Sequence, residues 1–394
     1  MANVALGKED AAARLHVGWH ELHADVSLNF QLNRWAAYGG PRWIADVRPV
    51  LPRLTGYGAW RTAFVELGEA AASEGRALHA ALHFRCGEFF MLPSDPRKEP
   101  IRRRLLKLFR QAAGVSENAR RDVPFGNLRL PAYHFARESA RGTIVIFGGY
   151  DSYIEEWFPL FETLRDFGSN VIAFEGPGQG SVLEEQHAPM THEWHRPVGA
   201  VLDAFGLDDV TLVGMSLGGC LVVRAAAYEP RVKRVVAFDV ATDLPAWMMR
   251  TQPPAMKATV RALLALRADG MFDRAVSSLA PTRPIMEWGL AQAQHIFGQP
   301  RPSGAFRTAR RYITRDVSHL LRQDVLLLAG AEDHYVPLSQ LGDQARLLTS
   351  ARSITTRVFT RHEHGQAHCQ VGNFPLAVKV MASWLDERVQ AGPP

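Results

Sequence analysis

From about residue 124 onward, the chain alternates short, unbroken apolar runs with longer stretches of helical spacing, and this alternation limits the fold more than any other feature. Residues 129–135 (RLPAYHF) and 143–147 (TIVIF) are β-branched or aromatic, with a polar turn at 137–142 between them. The pattern returns at 170–174 (NVIAF), 210–213 (VTLV), 235–239 (VVAFD), 325–328 (VLLL) and 354–359 (ITTRVF). Strands that are apolar at nearly every position are buried on both faces, as in a parallel sheet between two helical layers. Helical stretches at 156–167, 217–228 and 374–389 follow three of these runs, the first closing at Gly168 and the second before Pro230. The expected fold class is therefore α/β, a mostly parallel sheet with helices on both faces.

Two regions depart from the alternation. Up to about residue 122 the spacing is helical throughout: Trp60, Phe64, Leu67, Ala71, Leu78 and Leu82 recur at helical steps. Ile101, Leu105, Leu106, Phe109 and Ala112 do the same behind Asp95-Pro96, and the run Arg102-Arg103-Arg104 on this helix is expected on a solvated face. The division implied is an N-terminal helical domain over 1–122 and an α/β unit over 123–394. Between Asp239 and Asp324 the alternation stops for roughly 80 residues, too many for a structureless loop in a compact domain. Met256, Val260, Leu263, Leu264 and the stretch 285–296 are helically spaced, so a helical lid is expected at about 244–320. It would cover the carboxyl ends of the strands, where open α/β sheets bind ligands.

Composition excludes several classes. Of 394 residues, 47% are hydrophobic and 22% charged, ordinary for a globular chain. Forty-five Lys plus Arg against 40 Asp plus Glu gives +5, which raises nucleic-acid binding. The Arg residues, however, fall mostly on the N-terminal helices and in the expected lid (Arg267, Arg301, Arg307, Arg310, Arg311), not along an aromatic-interleaved stripe. No nucleic-acid partner is expected. Cys86, Cys220 and Cys369 lie in unrelated segments, which fits free thiols in a reducing compartment. Lys8, Glu9 and Asp10 interrupt the N-terminus where a signal peptide needs apolar residues, and no run approaches a membrane span. The expected setting is soluble and cytoplasmic, without membrane association.

The sharpest chemical signal is 214–219 (GMSLGG), directly after the run VTLV and opening a helix. A serine on a strand-to-helix elbow needs strained backbone and small neighbours, and it presents its Oγ toward the N-terminal N–H groups of the new helix. Ser216 is the candidate nucleophile. Such folds carry the partners in the order acid, then histidine. Past the lid, 329–337 (AGAEDHYVP) places Asp333 just beyond a strand end as the acid, with Glu332 as the neighbouring alternative. The segment 361–373 offers His362, His364 and His368; His368, nearest the last helix, is the candidate base, with His364 second. No metal site is expected from His362, Glu363 and His364, which share no defined face. Leu217 N–H and Tyr150 N–H, the latter after Gly148-Gly149, are the expected oxyanion donors. The segment 174–180 (FEGPGQG) lacks a P-loop or dinucleotide signature and is expected to be a tight turn in the pocket wall; no cofactor is expected.

With 148–157 (GGYDSYIEEW), 174–180, 214–219, 287–290 (EWGL), 329–337 and 367–373 (AHCQVGN), the chain resembles the α/β-hydrolase superfamily. It is most similar to the branch with an N-terminal helical domain, which includes 2,6-dihydroxypseudooxynicotine hydrolase, fungal polyketide-shortening hydrolases and fermentation-respiration-switch-like esterases. The resemblance maps Ser216, Asp333 and His368 onto the family triad. It implies hydrolysis of a C–C bond beside a ketone, in a β-diketone or aryl ketone, or of a carboxylic ester, with a small aromatic or polyketide-like carbonyl substrate. It also allows a homodimer. Asp239, Asp243 and Glu287 are candidates for an extra pocket acid that C–C cleavage would use, against the plainer reading of caps or paired surface groups. Arg310, Arg311 and Arg315 could favour an anionic substrate. The alternatives are an acyltransferase on the same triad and a catalytically silent hydrolase fold serving as a binding protein.

Overall fold

The computed structural model describes residues 15–116 and 119–390; the segment with Lys8, Glu9 and Asp10, on which the cytoplasmic expectation leans, lies outside them. Eight strands form one sheet: β1 Arg121–Phe125, β2 Leu128–Phe135, β3 Thr143–Phe147, β4 Asn170–Phe174, β5 Val210–Met215, β6 Val232–Phe238, β7 Asp324–Gly330 and β8 Ser353–Phe359. Their spatial order is β1-β2-β4-β3-β5-β6-β7-β8. The β1–β2 and β2–β4 pairs are antiparallel, and every pair from β4 to β8 is parallel. Burial follows position: β5 and β7 are buried along their whole length, whereas the edge strand β8 is buried fully only at Phe359. The expected mostly parallel α/β sheet is the one observed.

Strand β1 corrects the expectation of helix up to residue 122. It carries Pro124, exposes Arg121 and Asp122, and buries only Val123, so it has no apolar run to announce it. An edge strand tolerates such a sequence because its outer N–H groups need no ladder partner. Helices Gly180–Gln186, His195–Phe205 and Ser339–Leu347 complete the layers and were not apparent from spacing.

Ahead of the sheet lie four helices: α1 Val26–Val47, α2 Tyr57–Ser73, α3 Ala77–Phe89 and α4 Lys98–Ala112. The single periodic run from Trp60 to Leu82 is two helices, broken at Gly75, whose φ of 74° a helix does not accept. The arginine run also needs correction. Arg103 and Arg104 are exposed, but Arg102 is buried and bridges Glu99 and Glu185. Between β6 and β7, helices Leu244–Met248, Pro254–Ala265, Asp269–Leu279, Pro284–Ile296 and Pro302–Ala309 form the insertion. Trp288 Nε1 donates to Phe89 O at 2.7 Å, so the insertion rests on α3. No described helix is long and apolar enough to cross a membrane.

A buried charge network joins the N-terminal helices to the segment after β3. Arg85 donates to Glu88 at 2.6 Å, to Glu156 at 2.7 Å and to the Asp151 carbonyl. Arg34 reaches Asp151 at 3.1 Å and also Glu156. Lys98 and the Tyr153 hydroxyl both donate to Glu88. Burial alone would raise the Glu88 carboxyl, but Lys98 and Arg85 outweigh it and lower it from 4.5 to about 2. Its stabilisation is therefore complete above the ordinary carboxyl range and is lost as pH falls from about 4.5 toward 2. Glu88→Ala strands the buried Lys98 and removes one of the two carboxylates on Arg85, and should cost about 3–5 kcal/mol of unfolding free energy in urea titration at pH 7. The gap between variant and wild type should narrow as the titration is repeated toward pH 3.

Candidate active site

The turn from β5 into helix Gly218–Ala226 places Ser216 at φ +60°, a conformation a serine adopts only under constraint. The constraint is backbone packed against backbone. A Cβ on Gly214 would overlap Gly218 O, and one on Gly219 would overlap Asp239 O. Ser216 N–H donates to Phe238 O at 2.8 Å, tying the elbow to the end of β6. The small residues flanking the serine are thus required sterically.

His368 lies after β8, in a short turn ahead of helix Phe374–Gln390, and Asp333 lies in the turn after β7. His368 Nε2 is 2.8 Å from Ser216 Oγ, and Nδ1 is 2.6 Å from Asp333 Oδ2. In the arrangement these contacts support, Nδ1–H donates to the carboxylate and the Ser216 hydroxyl donates to Nε2. Asp333 Oδ1 accepts Tyr335 N–H at 2.7 Å and Val336 N–H at 3.0 Å, which fixes the carboxylate, while Arg250 from the insertion donates to the Asp333 carbonyl. Burial opposes charge on both groups, yet each stabilises the other. The imidazole is held well above its ordinary 6.5, and the Asp333 carboxyl below its ordinary 3.8. Glu332 instead pairs with Arg361 at the surface, and His362 and His364 are exposed.

Among the three further acids, Asp243 caps helix Leu244–Met248 through Ala246 N–H at 2.8 Å, and Glu287 is exposed. Asp239 departs from the surface or capping role expected of it. It is buried at the end of β6, with Oδ2 3.2 Å from His368 Nδ1 and 3.0 Å from Cys369 N. Burial and the neighbouring Asp333 charge push its carboxyl up to about 7. Sequence marked it only as a strand-end acid. Asp239, His368 and Cys369 are also the described side chains grouped closely enough to ligate a metal, but the imidazole is committed to Asp333 and Ser216, Asp239 accepts Cys369 N–H, and the Cys369 thiol faces the Phe238 carbonyl.

The loop after β3 supplies the opposite wall. A Cβ on Gly149 would stand 2.6 Å from Leu217 N, so this glycine keeps open the space beside that N–H. Among the described residues, neither Leu217 N–H nor Tyr150 N–H has a protein acceptor. The 174–180 segment proves to be a brace for this loop. Gln179 Nε2 donates to the Gly148 and Gly149 carbonyls at 2.7 and 3.3 Å, and Glu175 accepts Ile154 N–H and Ser181 N–H at 3.1 and 2.7 Å. Burial, followed by the Glu155 charge, raises Glu175 to about 8.

Aromatic side chains from three separate parts of the chain close around His368. Phe30 of α1 lies 6.1 Å from the imidazole between ring centroids, Trp247 of the insertion 6.1 Å and Tyr335 5.2 Å. Trp247 also stands 6.2 Å from Tyr150. Phe30 and Trp247 carry no motif and were not foreseen. Arg310, Arg311 and Arg315 are exposed, so they furnish no buried anion site.

With this geometry in view, the comparisons with known proteins are consistent. Residues 142–368 match the family described as alpha/beta hydrolase fold. The chain belongs to the α/β-hydrolase family, and it is a hydrolase. It is 26% identical over 369 residues to hydrolase acrC of Aspergillus aculeatus, covering 82% of this chain and 83% of that protein. It is 24% identical over 384 residues to 20-hydroxy-prefusarin hydrolase FUS2 of Gibberella moniliformis, covering 84% and 87%. The crystal structure of 2,6-dihydroxy-pseudo-oxynicotine hydrolase superposes with a TM-score of 0.62 at 19% identity, over 90% of this chain and 94% of that one; at this identity the likeness concerns the fold.

Gly149→Ala fills the space beside Leu217 N–H. It should lower kcat by about 10²–10³, with KM changed far less, in steady-state kinetics on an aryl ester.

Proposed function

We propose that the protein is a serine hydrolase that cleaves either a C–C bond beside a ketone or a carboxylic ester, in an aromatic or polyketide-like carbonyl compound. The observation that carries this reading is the continuous hydrogen-bonded chain Ser216–His368–Asp333 beside the acceptor-free Leu217 N–H. Ser216 Oγ attacks the substrate carbonyl carbon while His368 Nε2 takes its proton. The carbonyl oxygen becomes an oxyanion, met by Leu217 N–H and Tyr150 N–H. Collapse breaks the bond to the alkoxide or enolate leaving group, to which His368 returns the proton. Water, deprotonated by the same nitrogen, then releases the acid and restores Ser216.

Phe30, Trp247 and Tyr335 around His368, with Tyr150 beside Trp247, favour a flat, conjugated acyl group that stacks on rings. The helical insertion, whose Trp247 and Arg250 touch the site, serves as its lid. The name of one relative, 20-hydroxy-prefusarin hydrolase, which denotes hydrolysis of a hydroxylated compound, supports the same direction.

The test compares kcat/KM on an aryl ester and an aryl β-diketone, with Ser216→Ala alongside. The variant should lose about 10⁴–10⁶ in kcat, and a fluorophosphonate should label the wild type at Ser216. Full turnover by Ser216→Ala, or labelling elsewhere, would overturn the proposal. Because the working base is the neutral imidazole and His368 is held above 6.5, the acidic limb of kcat/KM should lie above pH 6.5.

A further inference from the structure

We propose that Asp239 is a second orienting carboxylate for His368, standing beside Asp333 on the Nδ1 side and competent to hold the ring in its working tautomer when Asp333 is absent. This deepens the serine-hydrolase reading and rests on it.

The fold places the two acids as equivalents. Strands β6 and β7 are parallel neighbours in the register Phe238↔Leu328, and each delivers an aspartate just past its carboxyl end. Both carboxylates converge on one ring nitrogen, Asp333 Oδ2 at 2.6 Å and Asp239 Oδ2 at 3.2 Å. Asp239 is fixed as firmly as Asp333. Its Oδ1 accepts Val240 N–H at 3.0 Å, and its Oδ2 accepts Cys369 N–H at 3.0 Å, the residue next to the histidine. Its own carbonyl packs against Gly219, so the serine elbow and this acid share one piece of backbone.

That position separates Asp239 from the extra pocket acid of C–C cleavage. A proton donor to the leaving group has to reach the substrate side of the imidazole, where Nε2 meets Ser216. Asp239 lies on the far side, against Nδ1. A purely structural role, holding Cys369 N–H, asks only for a neutral acceptor. Placing a second carboxyl against Asp333 instead invites like-charge repulsion unless the two share one proton. With Asp333 ionised, Asp239 keeps that proton and takes the lesser share of Nδ1–H. With Asp333 removed, Asp239 releases the proton to solvent and accepts Nδ1–H alone.

The consequence is a non-additive cycle among Asp239→Asn, Asp333→Asn and the double variant, read as kcat and KM on an aryl ester. Asp239→Asn alone should lower kcat about threefold to tenfold. Asp333→Asn should lower it about 10²-fold, short of the roughly 10⁴ lost when a triad histidine has no acid to set its tautomer. The double variant should fall to that 10⁴ level, with KM within a few-fold throughout. A structural role would cost the same factor in both backgrounds. If Asp333→Asn is already as slow as the double variant, or if Asp239→Asn costs equally with and without Asp333, the proposal is overturned. Asp333→Ser, which cannot donate an amide N–H to the ring, repeats the comparison should Asp333→Asn fold poorly, with thermal melting as the check. Turnover retained by Ser216→Ala would instead locate the failure in the serine-hydrolase reading itself.

Discussion

Backbone packed against backbone at the carboxyl ends of β3, β5 and β6 is the constraint on which the site depends. The elbow after β5 brings Gly214 against Gly218 O, Gly219 against Asp239 O, and Leu217 N against Gly149. No side chain fits between these segments, so their spacing is set by main-chain contact rather than by rotamers that exchange. That rigidity explains how Ser216 is kept at φ +60°. It also leaves Leu217 N–H without a protein acceptor among the described residues. Preorganised donors of this kind need no rearrangement when charge develops in front of them.

The loop after β3 is the least self-supporting part of this frame, and it is held from two sides. Gln179 grips its carbonyls from the sheet side. Arg34 and Arg85 grip Asp151 and Glu156 from the helices that precede the sheet. A buried charge network adds little net stability, because desolvation offsets most of the attraction. Its effect is positional. The helices cannot slide against the loop without unpairing several buried charges at once, so Phe30 and the Gly148-Gly149 turn are held in one frame with Ser216.

Legibility in the sequence followed the reach of each signal. The parallel strands could be read because burial on both faces leaves unbroken apolar runs, as in β5 and β7. Ser216, Asp333 and His368 could be picked out because each follows a strand end with local glycines, and the structure brings all three within hydrogen-bond distance. Strand β1 was hidden by its edge position and by Pro124. Arg102 read as a surface cation because nothing local reveals Glu185, which lies 83 residues away in sequence. Phe30, Trp247 and the Gln179 brace were equally silent, since their roles come from contacts between distant segments and not from a motif.

Asp239 shows most sharply how the same residue type takes its chemistry from surroundings. Asp333 and Asp239 are both strand-end aspartates, both buried, and both on His368 Nδ1. Each carboxylate accepts two backbone N–H groups, so what distinguishes them is the 0.6 Å closer approach of Asp333 to Nδ1, 2.6 against 3.2 Å, which favours the charge on Asp333. Asp333 stays ionised, and burial together with the Asp333 charge raises the Asp239 carboxyl to about 7. While the two acids share one proton, the imidazole sees a single negative charge. A second full charge would stabilise the imidazolium further and weaken its return of the proton to the leaving group. On this view the second acid secures the ring's orientation, while its protonation keeps the ring from becoming too strong a base to give its proton back.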